Sequence, residues 1–364
     1  MAYEIDFIGI PGVKKDYDAI AFRYFSSRLN RFVVCVFDGG TTEVGEALSK
    51  HLSQYYLSPA TANRTIDFVF CSHADSDHSA GLRTILEKHD VHYLVMNRPW
   101  LFVDELYEKV KDGRITRKSL EQHLRENYSF IDNLEKIAFE KHVTILDGFQ
   151  NTKLDEALCI CSPSRQSYLA RLCESQKTPA TDASTTNALL HNVVAFAKKM
   201  FRVFWGVDAI REGEQTTPEN ETSIVLRASP EGDNPFVLTA DAGCIALKDA
   251  LDFADAKGIS LNQCSFVQMP HHGGRHNVSP SILNRLLGPI ISQGTPPSKT
   301  SFVSVGEDSD HPRRCVVNAF MHRGCSVLIC STSPLHHHEK LPRTGWVPAK
   351  AELYSTEVES WEQE

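Results

Sequence analysis

Hydrophobic and polar positions along the chain group into short apolar runs separated by helical patterns. The runs "YEIDFIGI", "AIAFRYF", "RFVVCVFD" and "IDFVFCS" come first, followed by "VHYLVMN". After a gap come "LCICS", "TSIVLRAS", "PFVLTAD" and "SFVQMPH", and then "SFVSVG" and "SVLICST". Several are apolar without a break, as strands covered on both faces require. Helices are predicted after many of them. In "TTEVGEALSKHLSQYYL", Val44, Leu48, Leu52 and Tyr55 share one stripe, and Asp38-Gly39-Gly40 turns the chain into it. The stretch from about 99 to 142 is charged and helical, and a second, about 183–205, is helical with one apolar side. Both read as helical insertions within a single α/β domain spanning 1–364, packing outside a sheet or presenting a partner surface. "SQKTPATDASTT" and "SQGTPPSKTS" read as exposed loops, and the acidic tail "AELYSTEVESWEQE" as peripheral.

Composition narrows the class. Of 364 residues, 41% are hydrophobic and 23% charged, an ordinary globular balance. The formal net charge of −8 excludes a basic nucleic-acid coat, so any contact with phosphate is local. The N-terminal stretch lacks a basic start followed by an apolar core. No apolar run approaches the ~20 residues that span a bilayer. The ten cysteines are scattered, mostly inside apolar runs, which predicts free buried thiols in a reducing cytosol. The expected setting is therefore cytoplasmic, with no membrane partner. Cys159 and Cys161 form C-x-C without the second pair that a zinc site of that kind needs.

Candidate chemistry concentrates in "FVFCSHADSDHSAGL". His73, Asp75, Asp77 and His78 follow a buried strand and precede a helix opened by Gly81. Ligands in open α/β sheets collect at that edge. In an extended segment, alternate residues point the same way, so His73, Asp75 and Asp77 can converge. Imidazole and carboxylate suit zinc, manganese or iron. Four such groups in six residues exceed what one catalytic ion takes from a single loop, whereas two ions would use them all. A solvated loop with capping aspartates is the plainer alternative, but the density of ligands after a buried strand argues against it. Two later strands add more: "FVLTADAG" delivers Asp241, and "FVQMPHHGG" delivers His271 and His272. "GEDSDHPRRCVV" adds His311, beside Arg313 and Arg314. "LHHHEK", His336 to His338, reads as a polar loop, because neighbouring residues rarely share one inner sphere.

These residues resemble the metallo-β-lactamase superfamily, an αββα sandwich with one or two metals between the sheet edges. The usual form H-x-H-x-D-H has Asp75 at the second His here, which resembles the branch containing the hydrolase domain of the competence protein ComEC. "VVCVFDGG", "NETSIVLRASPEGDNPFVLTADAG", "QMPHHGGRHNVSPSIL" and "HPRRCVVNAFMHRGCSVLICST" are similar to further segments of that branch. The resemblance runs to about Thr332. It implies that His73 and Asp75 hold a first ion and Asp77 and His78 a second. Asp241 bridges, and His271 completes the second site. A further His common in the superfamily is missing from "LCICSPSRQ". The resemblance implies a metal-dependent hydrolase using one or two Zn²⁺ or Mn²⁺ ions, most simply a nuclease or phosphodiesterase. Asp77 or Asp241 would orient the attacking water, His272 or His311 would protonate the leaving oxygen, and Arg313 or Arg314 would hold phosphate. Substrates in view are DNA, other nucleic acid and nucleotides. Alternatives are a hydrolase of a small ester, thioester, lactam or cyclic nucleotide, or a subunit of a bacterial defence complex whose helical insertions dock a protein partner.

Overall fold

The computed structural model describes residues 2–58, 63–181, 200–230 and 235–361. The first half runs β1 (Tyr3–Phe7), β2 (Ala19–Ser26), β3 (Arg31–Gly39), α1 (Thr42–Tyr55), β4 (Ile66–Phe70), α2 (Ser76–Ser79), α3 (Leu82–Lys88), β5 (Val91–Val95), α4 (Val103–Tyr107), α5 (Arg117–Asn127), α6 (Ser129–Glu140), β6 (Thr144–Leu146), β7 (Leu158–Ser162) and α7 (Arg165–Glu174). The second half runs β8 (Met200–Arg202), β9 (Val225–Ala228), β10 (Phe236–Leu238), α8 (Cys244–Ala256), β11 (Phe266–Gln268), α9 (Pro280–Leu287), β12 (Lys299–Ser304), α10 (Arg314–His322), β13 (Cys325–Cys330), β14 (Leu335–Glu339) and β15 (Glu357–Glu359).

Alternation along the strands builds the layers. In β3, Cys35 and Phe37 face one way and Val34 and Val36 the other, and all four are buried. Two sheets result, in the orders β14-β1-β2-β3-β4-β5-β6 and β13-β12-β11-β10-β9-β7. Phe22, Phe37 and Phe70 of the first meet Phe236, Phe266 and Phe302 of the second in a shared core, with Phe22 edge-on to Phe236. The other face of the first sheet packs against Leu48 and Leu52 of α1, Ile85 of α3, Leu124 of α5 and Leu134 of α6. The second sheet packs against Leu247 of α8, Leu283 of α9 and Phe320 of α10. The result is the αββα sandwich that the resemblance implies. Truncating a ring in the central layer, as in Phe236→Ala, removes packing worth about 3–5 kcal/mol.

The segment around 99–142 forms α4, α5 and α6, and their apolar residues join the helical layer. Most of the segment read as helical from 183 to 205 lies outside the described residues. Its end, Met200–Arg202, is strand β8 and pairs antiparallel with β15. The acidic tail is correspondingly not peripheral. Val358 is fully buried, and the Trp361 ring stacks under the Arg275 and Arg211 guanidiniums, 4.5 and 4.6 Å away. "LHHHE" is not a loop but strand β14, paired with β1 at the sheet edge. Strand alternation gives its imidazoles separate surroundings. His336 donates Nδ1–H to the buried Asp6 (2.7 Å), while the His337 ring sits 4.9 Å from Phe266 in the central layer. All ten cysteines are free thiols. Among the described residues, no helix is long and apolar enough to cross a membrane.

Candidate metal centre

The parallel pairs β3/β4 and β10/β11/β12 align the carboxyl ends of their strands, and the candidate side chains leave from those ends. His73 follows β4, Asp241 follows β10, His271 and His272 follow β11, and His311 follows β12. Antiparallel pairing adds a residue from the opposite direction. The register Ala19↔Gly39 puts the start of β2 beside the end of β3, which delivers Asp18 to the same edge. Asp18 N–H then donates to Asp77 O (3.2 Å).

The loop after β4 bends at His73 and Ala74, and α2 begins at Ser76. That turn separates groups that a fully extended segment would hold together. Asp75 Oδ2 lies 3.7 Å from His73 Nε2, whereas Asp77 Oδ2 lies 3.8 Å from His272 Nε2. Gly81 makes the tight return. A Cβ there would stand 2.0 Å from the carbonyl oxygen of Gly39, so no larger residue fits between the two loops. At the other sheet, Glu221 accepts hydrogen bonds from Ala246 N (2.7 Å) and Ile245 N (3.3 Å) and so caps α8 directly after Asp241. Gln268 ties three parts together. Its Oε1 accepts from Thr239 N and Ala240 N (2.9 and 3.0 Å), and its Nε2 donates to Asp18 Oδ2 (2.9 Å). Asp38, Ala240, His271 and His272 all hold positive φ between 45° and 59°. Such residues cost about 1–3 kcal/mol each where the surroundings must hold them, and they gather at functional sites.

Each histidine at this edge has its Nδ1 spoken for. His78 Nδ1–H donates to Asp38 Oδ2 (2.8 Å), and His272 Nδ1–H to the Ser304 carbonyl (2.9 Å). Ser72 Oγ donates to Asp38 (2.6 Å) and therefore accepts from His73 Nδ1 (3.0 Å). Asn277 donates its amide N–H to the Asp241 carbonyl, so its Oδ1 accepts from His271 Nδ1 (2.6 Å). His311 Nδ1–H donates to Asp16 Oδ2 (2.8 Å). This pattern holds each Nδ1 outward and turns Nε2 inward, the usual support of a metal-binding imidazole.

The inward atoms then decide what fits. Nε2 of His73, His78 and His272 and Oδ1 of Asp241 are buried and make no hydrogen bond. Native proteins rarely leave such atoms unpartnered. His78 Nε2 lies 3.1 Å from Asp241 Oδ1, and His272 Nε2 lies 3.9 Å from the same oxygen. Asp18, His78, Asp241 and His272 each offer one donor atom within 4.8 Å of the others, and all four residues are buried. Two imidazoles and two carboxylates at this spacing fit a divalent transition-metal ion. His271 differs from its neighbour. It is about a third exposed, and Asn220 Nδ2 approaches its Nε2 at 3.4 Å, although Asp241 Oδ2 is only 3.6 Å away.

The electrostatics agree. Burial opposes charge on His78, but Asp241 and Asp38 outweigh it and raise its pKa well above the ordinary value. Burial likewise opposes charge on His272, yet Asp241, Asp77 and Asp18 lift it to about 10. Burial raises Asp18 to about 6, against the pull of His272 and His78. Protons thus occupy the places where a cation would sit.

His272 connects the centre to an open cleft of about 570 Å³, which it lines with Lys14, Lys15, Asp16, Asp77, His271 and His311 among others. Among the described residues, Lys14 and Lys15 line it and Arg313 and Arg314 do not. The backbone N–H of Arg314 instead donates to Glu359 at the start of α10. Sequence reasoning missed Asp18 because it precedes a strand rather than ending one, and it missed Lys14 and Lys15 because nothing local marks them.

No family model matches the chain, and no curated protein matches it. Several solved structures are similar. A metallo hydrolase, Igni18, from Ignicoccus hospitalis is 11% identical, with 93% of this chain and all of that one covered and a TM-score of 0.39. Unliganded yeast PDE1 is 10% identical, with 92% and 98% covered and a TM-score of 0.41. Zn²⁺-bound PqqB from Methylobacterium extorquens is 14% identical, with 93% and 99% covered and a TM-score of 0.36. Identities and scores this low transfer no activity and no residue role to this chain.

Proposed function

We propose that the protein is a metal-dependent hydrolase that cleaves phosphodiester bonds in nucleic acid or nucleotides. The observation that carries this reading is the buried group Asp18, His78, Asp241 and His272, whose donor atoms converge within 4.8 Å and of which His272 also lines the cleft. In this assignment those four residues hold the ion, with Asp77 beside them. His272 takes the ligand role that the resemblance implies for His271. A bound Zn²⁺ or Mn²⁺ supplies Lewis acidity that neutralises charge on the attacked phosphoryl group.

The chain's own residues do the rest. Asp77, about a third exposed and 3.8 Å from His272, is placed to orient an attacking water and accept its proton. Lys14 and Lys15 give the cleft wall positive charge for the non-bridging oxygens. His311 lines the same cleft with Nδ1–H held by Asp16, which leaves Nε2 to pass a proton to the leaving oxygen. The two lysines in the lining favour an anionic phosphate ester over the small apolar ester or lactam of the alternative. With a net charge of −8, substrate contact is local to the cleft.

The test is hydrolysis of an activated phosphodiester, of single- and double-stranded DNA, of cyclic nucleotides and of a chromogenic lactam, with Zn²⁺ or Mn²⁺ and after chelation. Phosphodiester cleavage that needs the ion and disappears in the D77A/H78A double variant is expected. If that variant cleaves as fast as the parent, the assigned site is wrong.

A further inference from the structure

The two halves of the centre are not equivalent, and Lys177 marks the difference. The loop after α7 carries this lysine to the His73 side, where its Nζ donates to Asp75 Oδ1 at 2.9 Å. The side chain is anchored along its length. Its backbone N–H donates to Ser175 Oγ (3.0 Å), Ser175 in turn bonds Glu219, and Nζ lies 5.5 Å from the centre of the Tyr128 ring. Tyr128 OH also donates to Ser175 Oγ (3.1 Å). The lysine, about a third exposed, thus reaches Asp75 from a loop held by Ser175 and beside the Tyr128 ring.

Donor counting gives the same asymmetry. On the His272 side four buried residues converge. On the other side stand His73 Nε2, Asp75 Oδ2 at 3.7 Å and Asp241 Oδ2 at 4.0 Å; His271 Nε2 is 3.6 Å from that Asp241 oxygen, but it is partly exposed and met by Asn220 Nδ2 at 3.4 Å. Asp241 already serves the first group through its other oxygen, and β7, ending at Ser162, brings no imidazole. A second dication there would share the Asp75 carboxylate with a fixed ammonium, and like charges this close repel strongly in a partly dry site.

We propose that this is a one-ion centre in which the Lys177 ammonium takes the place of a second metal beside Asp75. The inference rests on the metal reading above and deepens it by fixing the stoichiometry and the residue responsible. His73 and Asp75 then orient substrate or water beside a permanent positive charge.

Native mass spectrometry and elemental analysis of the full chain, saturated with Zn²⁺ or Mn²⁺ and freed of loose ions, test this without reference to activity. The parent is expected to carry one ion per chain and K177A two, with K177M as a second variant that keeps the side-chain bulk. D75N should keep the single ion, whereas H272A should lose it. Two ions in the parent, or one ion in the parent and in both lysine variants, would overturn the inference. No ion in any of these proteins would sink the metal reading itself, a distinct result.

Discussion

Asp38 touches no substrate, yet it should control the metal. Its carboxylate is fully buried and accepts three hydrogen bonds: from Ser72 N and Ser72 Oγ, at 2.8 and 2.6 Å, and from His78 Nδ1, at 2.8 Å. D38N keeps the volume, and asparagine tolerates the φ of 59° at this position. Its amide can accept on one side only. With NH₂ towards His78, the imidazole must carry its proton on Nε2, and the lone pair aimed at Asp241 is lost. With NH₂ towards Ser72, two N–H groups face each other at 2.8 Å, and the loop carrying His73 must shift. Losing such an outer partner typically weakens metal affinity by about 10–100-fold, or about 1.4–2.7 kcal/mol. One unsatisfied buried donor costs a further ~1–3 kcal/mol of stability. Competition with a chromogenic chelator reads the first effect, and thermal melting of the metal-free protein reads the second. If D38N bound Zn²⁺ within twofold of the parent, the claim that Asp38 sets the His78 tautomer would be refuted.

Other outcomes follow from the same geometry. Metal must displace protons from His78 and His272, whose pKa values are raised, so affinity should climb by about tenfold per pH unit for each proton released. Calorimetry in buffers of different ionisation enthalpy should register that release, and pH-independent affinity between pH 6 and 9 would contradict it. D16N should slow cleavage of substrates with poor leaving groups far more than activated aryl esters, because Asp16 Oδ2 holds the His311 proton while its Oδ1 accepts from Gly306 N; equal slowing of both would assign it a merely structural part. In β14, burial first, with His338 and His336, depresses His337 to about 4, below its unfolded value near 6.5. Its stabilising contribution is thus complete above about pH 6.5 and falls away towards pH 4, by about 1–2 kcal/mol once its partial exposure is allowed for. H337F should flatten that part of the melting-temperature profile, and an unchanged profile would count against the assignment.

Much of the fold was legible because its strands are continuously apolar or alternate cleanly. "IDFVFCS" and "SFVQMPH" each became a strand with its site residues just past the end, and "RFVVCVFD" a strand with Asp38 in its last two positions. What stayed hidden depended on partners distant in sequence. β14 reads as a polar run because its histidines are satisfied by Asp6 and by aromatic rings from the other sheet. Val358 and Trp361 look like an acidic tail until β8 and two arginines meet them. Within the centre, a local pattern showed His73, Asp75, Asp77 and His78 as a cluster. The partition among them depends on the helical turn at Ser76, and the choice between His271 and His272 depends on two successive left-handed residues. Asp18 arrives through antiparallel register and Lys177 through a loop, and neither has a one-dimensional mark.

The central claim is that a divalent ion sits where His78, His272 and Asp241 meet. Anomalous diffraction at the zinc edge from crystals grown with Zn²⁺ tests it most directly. The account expects a strong peak about 2 Å from His78 Nε2, His272 Nε2 and an Asp241 oxygen. A fully loaded crystal with no peak at Asp241, or with zinc bound only at residues outside the cleft, would contradict it.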